Sequence, residues 1–249
     1  MRFNKVLAAL ACTVGLAGAH ATVLVKTTQT TFEQAVVGGA AGLWIDDLER
    51  FDGDNGVTPI DLEFSHAVNP MLTGLLSGDT STQSIAAQGR SSHNGGNAYW
   101  LGGDGSGSSF TITFDSSITA FGFWASDVGD FRTDCEALDP RPASCDNAQA
   151  SFLKVILTLK DANGNLSTFT EEITDAGANG NERFRGFVSD LQIVSAEFIN
   201  QTNGADGQGF DYFMVAEAGD IPQVPEPSGV ALAGLALLAA SRVTRRVRR

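Results

Sequence analysis

Carboxylates and aromatic rings are the groups in this sequence best equipped for chemistry, and their spacing sorts them. Asp127 and Asp130 leave a strand-like run together. Paired carboxylates of this kind can hydrolyse a glycosidic bond, one as acid and the other as base or nucleophile. The same pair is better suited to capping a turn or helping to bind calcium, since no cleft or row of substrate-binding aromatics accompanies it. A second set lies on apolar strands: Asp47 and Glu49 share a period-two face with Ile45 and Phe51, and Asp211 shares one with Phe213 and Val215. A carboxylate aimed at an apolar core must be neutralised, hydrogen-bonded or bound to a cation. Oxygen donors without thiolate or imidazole suit calcium. Glu49 and Asp211, helped by Asp47 or Asp206, are therefore expected to hold a structural calcium that clips the first and last strands together. Acids hydrogen-bonded to loop amides without metal meet the same demand.

The other candidates are weaker in chemistry. Tyr99, Trp100 and Trp124 would form a glycan-binding surface if their ring faces are exposed; on strands, such rings are more commonly core. His66 and His93 are too few and too isolated for zinc, which takes three or four N or S ligands. Ser91 and Ser92 precede His93 without a nucleophile-elbow pattern. Residues 102–107, Gly-Gly-Asp-Gly-Ser-Gly, lead into a strand and lack a following Lys, so they read as a turn and not a phosphate cradle. Residues 52–56 with Glu63 depart from the EF-hand pattern at Gly56 and Val57. Cys135 and Cys145 flank a proline-containing loop, and in an oxidising compartment their expected state is a disulfide worth ~2 to 3 kcal/mol.

These residues need a scaffold, and alternation supplies one. Phe110, Ile112 and Phe114 face one way with hydroxyls between them; Leu153, Val155, Leu157 and Leu159 line a second strand. Asn163-Gly164 reverses that strand into Leu166 to Ile173. Further strand-like runs are 43–51, 60–64, 98–101, 120–126, 191–200 and 210–215, with one short helix at 31–37 and a polar stretch at about 80–97. Without long amphipathic helices, the expected fold is all-β: a two-sheet antiparallel β-sandwich, jelly-roll or lectin-like. The chain has 249 residues and a net charge of −13. Seven of its 16 basic residues lie at the ends, so residues 22–224 hold nine basic and 28 acidic groups, net −19. Such a field repels nucleic acid and anionic lipid.

Both ends read as addresses. Arg2 and Lys5, an apolar run from Val6 to Leu16 and the small residues Ala19 and Ala21 make a secretory signal over residues 1–21, cut by signal peptidase. At the other end, Pro225-Glu226-Pro227, an apolar run from Gly229 to Ala240 and five terminal arginines resemble the PEP-CTERM sorting signal of Gram-negative bacteria. That resemblance implies an exosortase as partner and a role linked to exopolysaccharide or biofilm matrix. Twelve apolar residues in a helix rise only ~18 Å against a hydrocarbon core of about 30 Å, which favours a transient inner-membrane tether. Residues 121–131, 183–187 and 206–213 resemble the extracellular β-sandwich domain often found ahead of such tails.

The expected organisation is thus a signal at 1–21, a β-sandwich at 22–220 and a sorting signal with an apolar helix at 221–249. The expected function is a non-enzymatic protein of the cell surface or extracellular matrix. A carbohydrate-binding module is the alternative, and a glycan hydrolase using Asp127 and Asp130 a further one.

Overall fold

A computed structural model describes residues 22–36, 42–49, 59–66, 69–78, 83–87, 93, 97–101, 108–128, 153–174, 181–201 and 207–217, with backbone alone for 66, 69–71 and 83–87. In chain order the elements are β1 (Val23–Lys26), α1 (Gln29–Glu33), β2 (Trp44–Asp46), β3 (Ile60–His66), β4 (Asn69–Gly78), β5 (Gln83–Ala87) and β6 (Asn97–Leu101). They continue with β7 (Ser109–Ser126), β8 (Leu153–Lys160), β9 (Leu166–Ile173), β10 (Glu182–Asn200) and β11 (Gln208–Glu217). The signal and sorting segments lie outside the described residues. Among the described residues no helix is long and apolar enough to cross a membrane.

The architecture is all-β and sandwich-like, with every strand pairing antiparallel. Two long strands organise it. Along one edge, β7 pairs with β4 through Phe110–Phe114 and then with β11 through Ile118–Ser126. Its other edge is held by β10. In the same way, β10 pairs with β1 through Gly186–Ser189 and with β8 through Gln192–Asn200. Irregular register between Val188 and Ser195 accommodates the change of partner. Because β7 meets both β4 and β11, the path β11-β2-β3-β4-β7 closes on itself, and the layers are joined in one hydrogen-bonded sheet.

The main core is a phenylalanine cluster. Phe110 and Phe198 stack at 4.4 Å between ring centroids, and Phe210 meets Phe110 edge-on at 4.9 Å. Phe121, Phe123, Phe187 and Phe213 are fully buried around them. Such pairs contribute ~0.5 to 1.5 kcal/mol each beyond their buried area. A smaller cluster lies on the other face, where α1 covers Ala120, Phe184 and Val188 with Phe32. Thr28 caps this short helix, its Oγ1 accepting the Thr31 N–H at 3.3 Å.

Most strands fall where alternation places them. The runs 109–114 and 120–126 prove to be one strand, and the run 191–200 extends back to Glu182. That extension is disguised because Arg183 and Arg185 alternate with Phe187 on the core side of β10, where sequence alone calls for apolar residues. β4 is disguised by Pro70 and by two glycines, and β5 occupies part of the stretch expected to be a polar loop.

Candidate functional site

On the face of β7 opposite the phenylalanine core, Trp124 forms one wall of a cleft of 580 Å³. Alternation puts it there, since Phe123 and Ala125 point into the main core. Phe184 stands directly across β10 and meets the indole in a T-shaped contact at 5.6 Å. Gln29, the first residue of α1, accepts the Trp124 Nε1–H at 3.0 Å and donates through Nε2 to Glu33 Oε1 at 2.7 Å. His93 lies parallel to the indole, centroids 4.0 Å apart and planes 5° from parallel, with Nδ1 2.9 Å from Glu182 Oε2. Thr28 and Arg183 also border it, although alternation directs the Arg183 side chain to the other side of β10.

Asp211 supports this arrangement from β11, directly opposite Trp124 in register. It is buried, and its carboxyl accepts the backbone N–H groups of Tyr212 and His93. Burial pushes this carboxyl up to about 8, and the negative charges of Glu49 and Asp47 add to the rise. Tyr212 takes a left-handed conformation with φ 55°, and its ring meets His93 edge-on at 5.7 Å. Burial raises the Tyr212 hydroxyl as well, followed by the charges of Asp47, Glu33 and Asp211.

The left-handed Tyr212 corrects one expectation. Asp211 does not share a face with Phe213 and Val215: the strand is irregular between Asp211 and Met214, and Phe210 joins Phe213 in the main core. The extra residue turns Asp211 to the side of Trp124. Asp47 and Glu49 are exposed, not core-facing. Asp47 Oδ1 accepts the Glu49 N–H at 3.3 Å, and Glu49 Oε1 accepts the Asn97 N–H at 2.8 Å. The buried carboxylate of this segment is Asp46, which accepts Leu48 N–H at 3.0 Å and Glu63 N–H at 2.7 Å. Among the described residues no group of three or more His, Cys, Asp or Glu side chains is arranged to hold a metal ion. Asp206, Asp130, Cys135, Cys145, Ala19, Ala21, Pro225, Glu226 and Pro227 lie outside them.

Of the three aromatics expected to bind glycan, Tyr99 is corrected. It is fully buried, edge-on to Phe110 at 4.8 Å, and burial raises its hydroxyl far above the ordinary range. Its ring is core because Tyr99 and Leu101 take the inward positions of β6. Trp100 takes the outward position between them and is partly exposed, its ring so close to Gly207 that a methyl group there would overlap it. Asp127 is buried at the end of β7 with φ 59°, its N–H donated to the Asn181 carbonyl at 3.0 Å. Gln29, His93 and Glu182 were not legible as a site: they are 153 residues apart at the extremes, and only the sheet brings them together. The signal that could have found His93 is an imidazole in a polar stretch just ahead of a strand carrying Tyr99 and Trp100.

No protein-family model matches the chain, and no curated protein sequence matches it. Its fold is similar to several solved structures at low levels. A family 16 carbohydrate-binding module aligns with 55% of this chain and 86% of its own length, at 12% identity and a TM-score of 0.35. A family 11 carbohydrate-binding module from Clostridium thermocellum, solved with a β-1,3-1,4-mixed-linked tetrasaccharide, aligns with 72% of this chain and 98% of its own, at 13% identity and TM-score 0.35. The K1 cleaved adhesin domain of Lys-gingipain from Porphyromonas gingivalis aligns with 80% and 99%, at 13% identity and TM-score 0.33.

Proposed function

We propose that this chain is a non-enzymatic carbohydrate-binding protein whose glycan site is the cleft at Trp124. The observation that carries the reading is a partly exposed indole set in a 580 Å³ cleft among hydroxyl, amide and carboxylate groups. An apolar ring with polar groups around its rim fits a pyranose, which offers C–H bonds on a face and hydroxyls at its edge. Glu33 and Glu182 line the cleft, and the chain carries −13 overall, so acidic glycans are disfavoured and the favoured ones are neutral. The test is a glycan array followed by calorimetry with neutral hexasaccharides such as cellohexaose, xylohexaose and laminarihexaose. Trp124→Ala is expected to abolish binding of the hit. Unchanged binding in that variant would defeat the assignment.

Delivery to a matrix polysaccharide fits the two terminal signals. In this reading signal peptidase cuts after Ala21, an exosortase acts on the tail beginning at Pro225-Glu226-Pro227, and the apolar helix is a transient inner-membrane anchor. Replacing those three residues with alanine should leave unprocessed protein in the inner membrane, and undisturbed surface delivery would refute the sorting role.

A further inference from the structure

We propose that His93 is an internal cap on the glycan site: its imidazole occupies a place on Trp124 that a sugar ring would take, and a glycan must displace it to stack there. This rests on the reading of the cleft as a glycan site. A flat ring 4.0 Å from an indole and within 5° of parallel fills the space that a stacked pyranose needs. His93 is more than a wall of the cleft, since it covers the one platform that gives the cleft its chemistry.

The contacts divide into those that hold the backbone and those that hold the ring. Asp211 accepts the His93 backbone N–H and is itself fixed within a paired strand, so the backbone of His93 is anchored. The ring is held separately, by the stack on Trp124, by Nδ1 against Glu182 Oε2 at 2.9 Å, and by the edge of Tyr212. Rotation about the side-chain bonds of His93 therefore uncovers Trp124 without moving the strand beneath it. The His93 side chain is 20% exposed and Glu182 39%, so the ring has solvent beside it into which to turn. Glu182, released from the imidazole, becomes an acceptor for a sugar hydroxyl in the same cleft. An internal group that occupies a site lowers apparent affinity by the fraction of molecules in which the site is open.

The test is calorimetry of the full exported protein with the neutral hexasaccharides, comparing wild type with His93→Ala, His93→Asn and Trp124→Ala. His93→Asn keeps a hydrogen-bond donor for Glu182 and lacks the ring, so it covers the case in which the alanine variant folds poorly. Both His93 variants are expected to bind about tenfold more tightly than wild type, a change equal to ~1.4 kcal/mol. Their tryptophan emission without ligand should shift to the red, and Trp124→Phe should remove that shift. If wild type binds and both His93 variants bind equally or more weakly, the cap is overturned while the glycan site stands. If no variant binds any probe, the glycan reading falls, and the cap with it.

Discussion

Gly122 and Gly186 stand directly opposite each other across β7 and β10, and the ring of Phe32 fills the space above both. A methyl carbon at Gly122 would come 3.0 Å from that ring, and one at Gly186 would overlap it. The pair of missing side chains is what lets α1 lie on the sheet close enough for Gln29 to reach Trp124.

Gly186→Ala should therefore cost about 1 to 3 kcal/mol, the range for overpacking a tight core. Because the helix must lift, it should also loosen the bond from Trp124 to Gln29. Phe32→Ala acts oppositely, leaving a cavity at a cost of ~3 to 5 kcal/mol. Denaturant unfolding of the two variants and of the double variant checks this. The double variant should lose less than the sum, because alanine at 186 then has room; strict additivity would show that the ring and the glycine are not coupled.

Asp211 gives a pH dependence of defined sign. Its folded value of about 8 lies above the ordinary carboxylate value of 3.8, so between those limits the folded state holds a proton that the unfolded state has released. Stability from this group consequently falls as pH rises, by about 1.4 kcal/mol per pH unit at most, and levels off above pH 8. Asp211→Asn, neutral at every pH, should remove that slope and be the more stable protein at pH 8. Denaturant midpoints at pH 5, 6.5 and 8 decide it, read as the difference between wild type and variant so that other acids cancel. Parallel profiles would overturn the assignment. A melting temperature that rises with millimolar calcium in wild type alone would instead give the neutralising role to the metal expected at Glu49 and Asp211.

How far the sequence reveals this molecule follows from which forces act locally. Alternation in Phe110–Phe114 and Leu153–Leu159 is a local record of one buried face, and those strands stand where they were expected. Asp211 was legible as a buried acid, but its direction was not, because a single left-handed residue at Tyr212 reverses a period-two argument. Arg183 and Arg185 hid half of β10 in a similar way: register places these charged residues at inward positions, where alternation calls for apolar side chains. The cleft is harder still. Trp124 was among the aromatic candidates, yet His93, Glu182 and Gln29 have meaning only once β7, β10 and α1 are assembled around it.

The proposed export would leave a covalent record that can be read directly. The mature N-terminus of secreted protein should lie at or within two residues of Thr22, one residue before β1. Thr22 is tied to β10 by its N–H to Asp190 Oδ1 at 3.0 Å. Non-reducing peptide mapping of the same material should recover Cys135 linked to Cys145. A mature chain starting at Met1, or two free thiols, would contradict the respective assignment.

The final prediction separates two adjacent acids that sequence alone ranks in the wrong order. Asp47 was expected to face the core and to help Glu49 and Asp211 hold calcium, whereas Asp46 is the buried carboxylate, with one oxygen on the Leu48 N–H and the other on the Glu63 N–H. Leu48 needs that support, because it is fully buried in the left-handed region at φ 59°, a conformation unfavourable for a residue with a branched side chain. Asp46→Asn offers only one acceptor oxygen and turns an amide donor toward one of the two N–H groups, so it should cost about 1 to 3 kcal/mol. Asp46→Ala, which leaves both amides without this carboxylate, should cost more. Asp47→Asn, at an exposed position, should stay within ~0.5 kcal/mol of wild type. Unfolding free energies of the three variants at one pH test the order, and equal losses at 46 and 47 would mean that the Asp46 carboxylate does not tie β2 to β3.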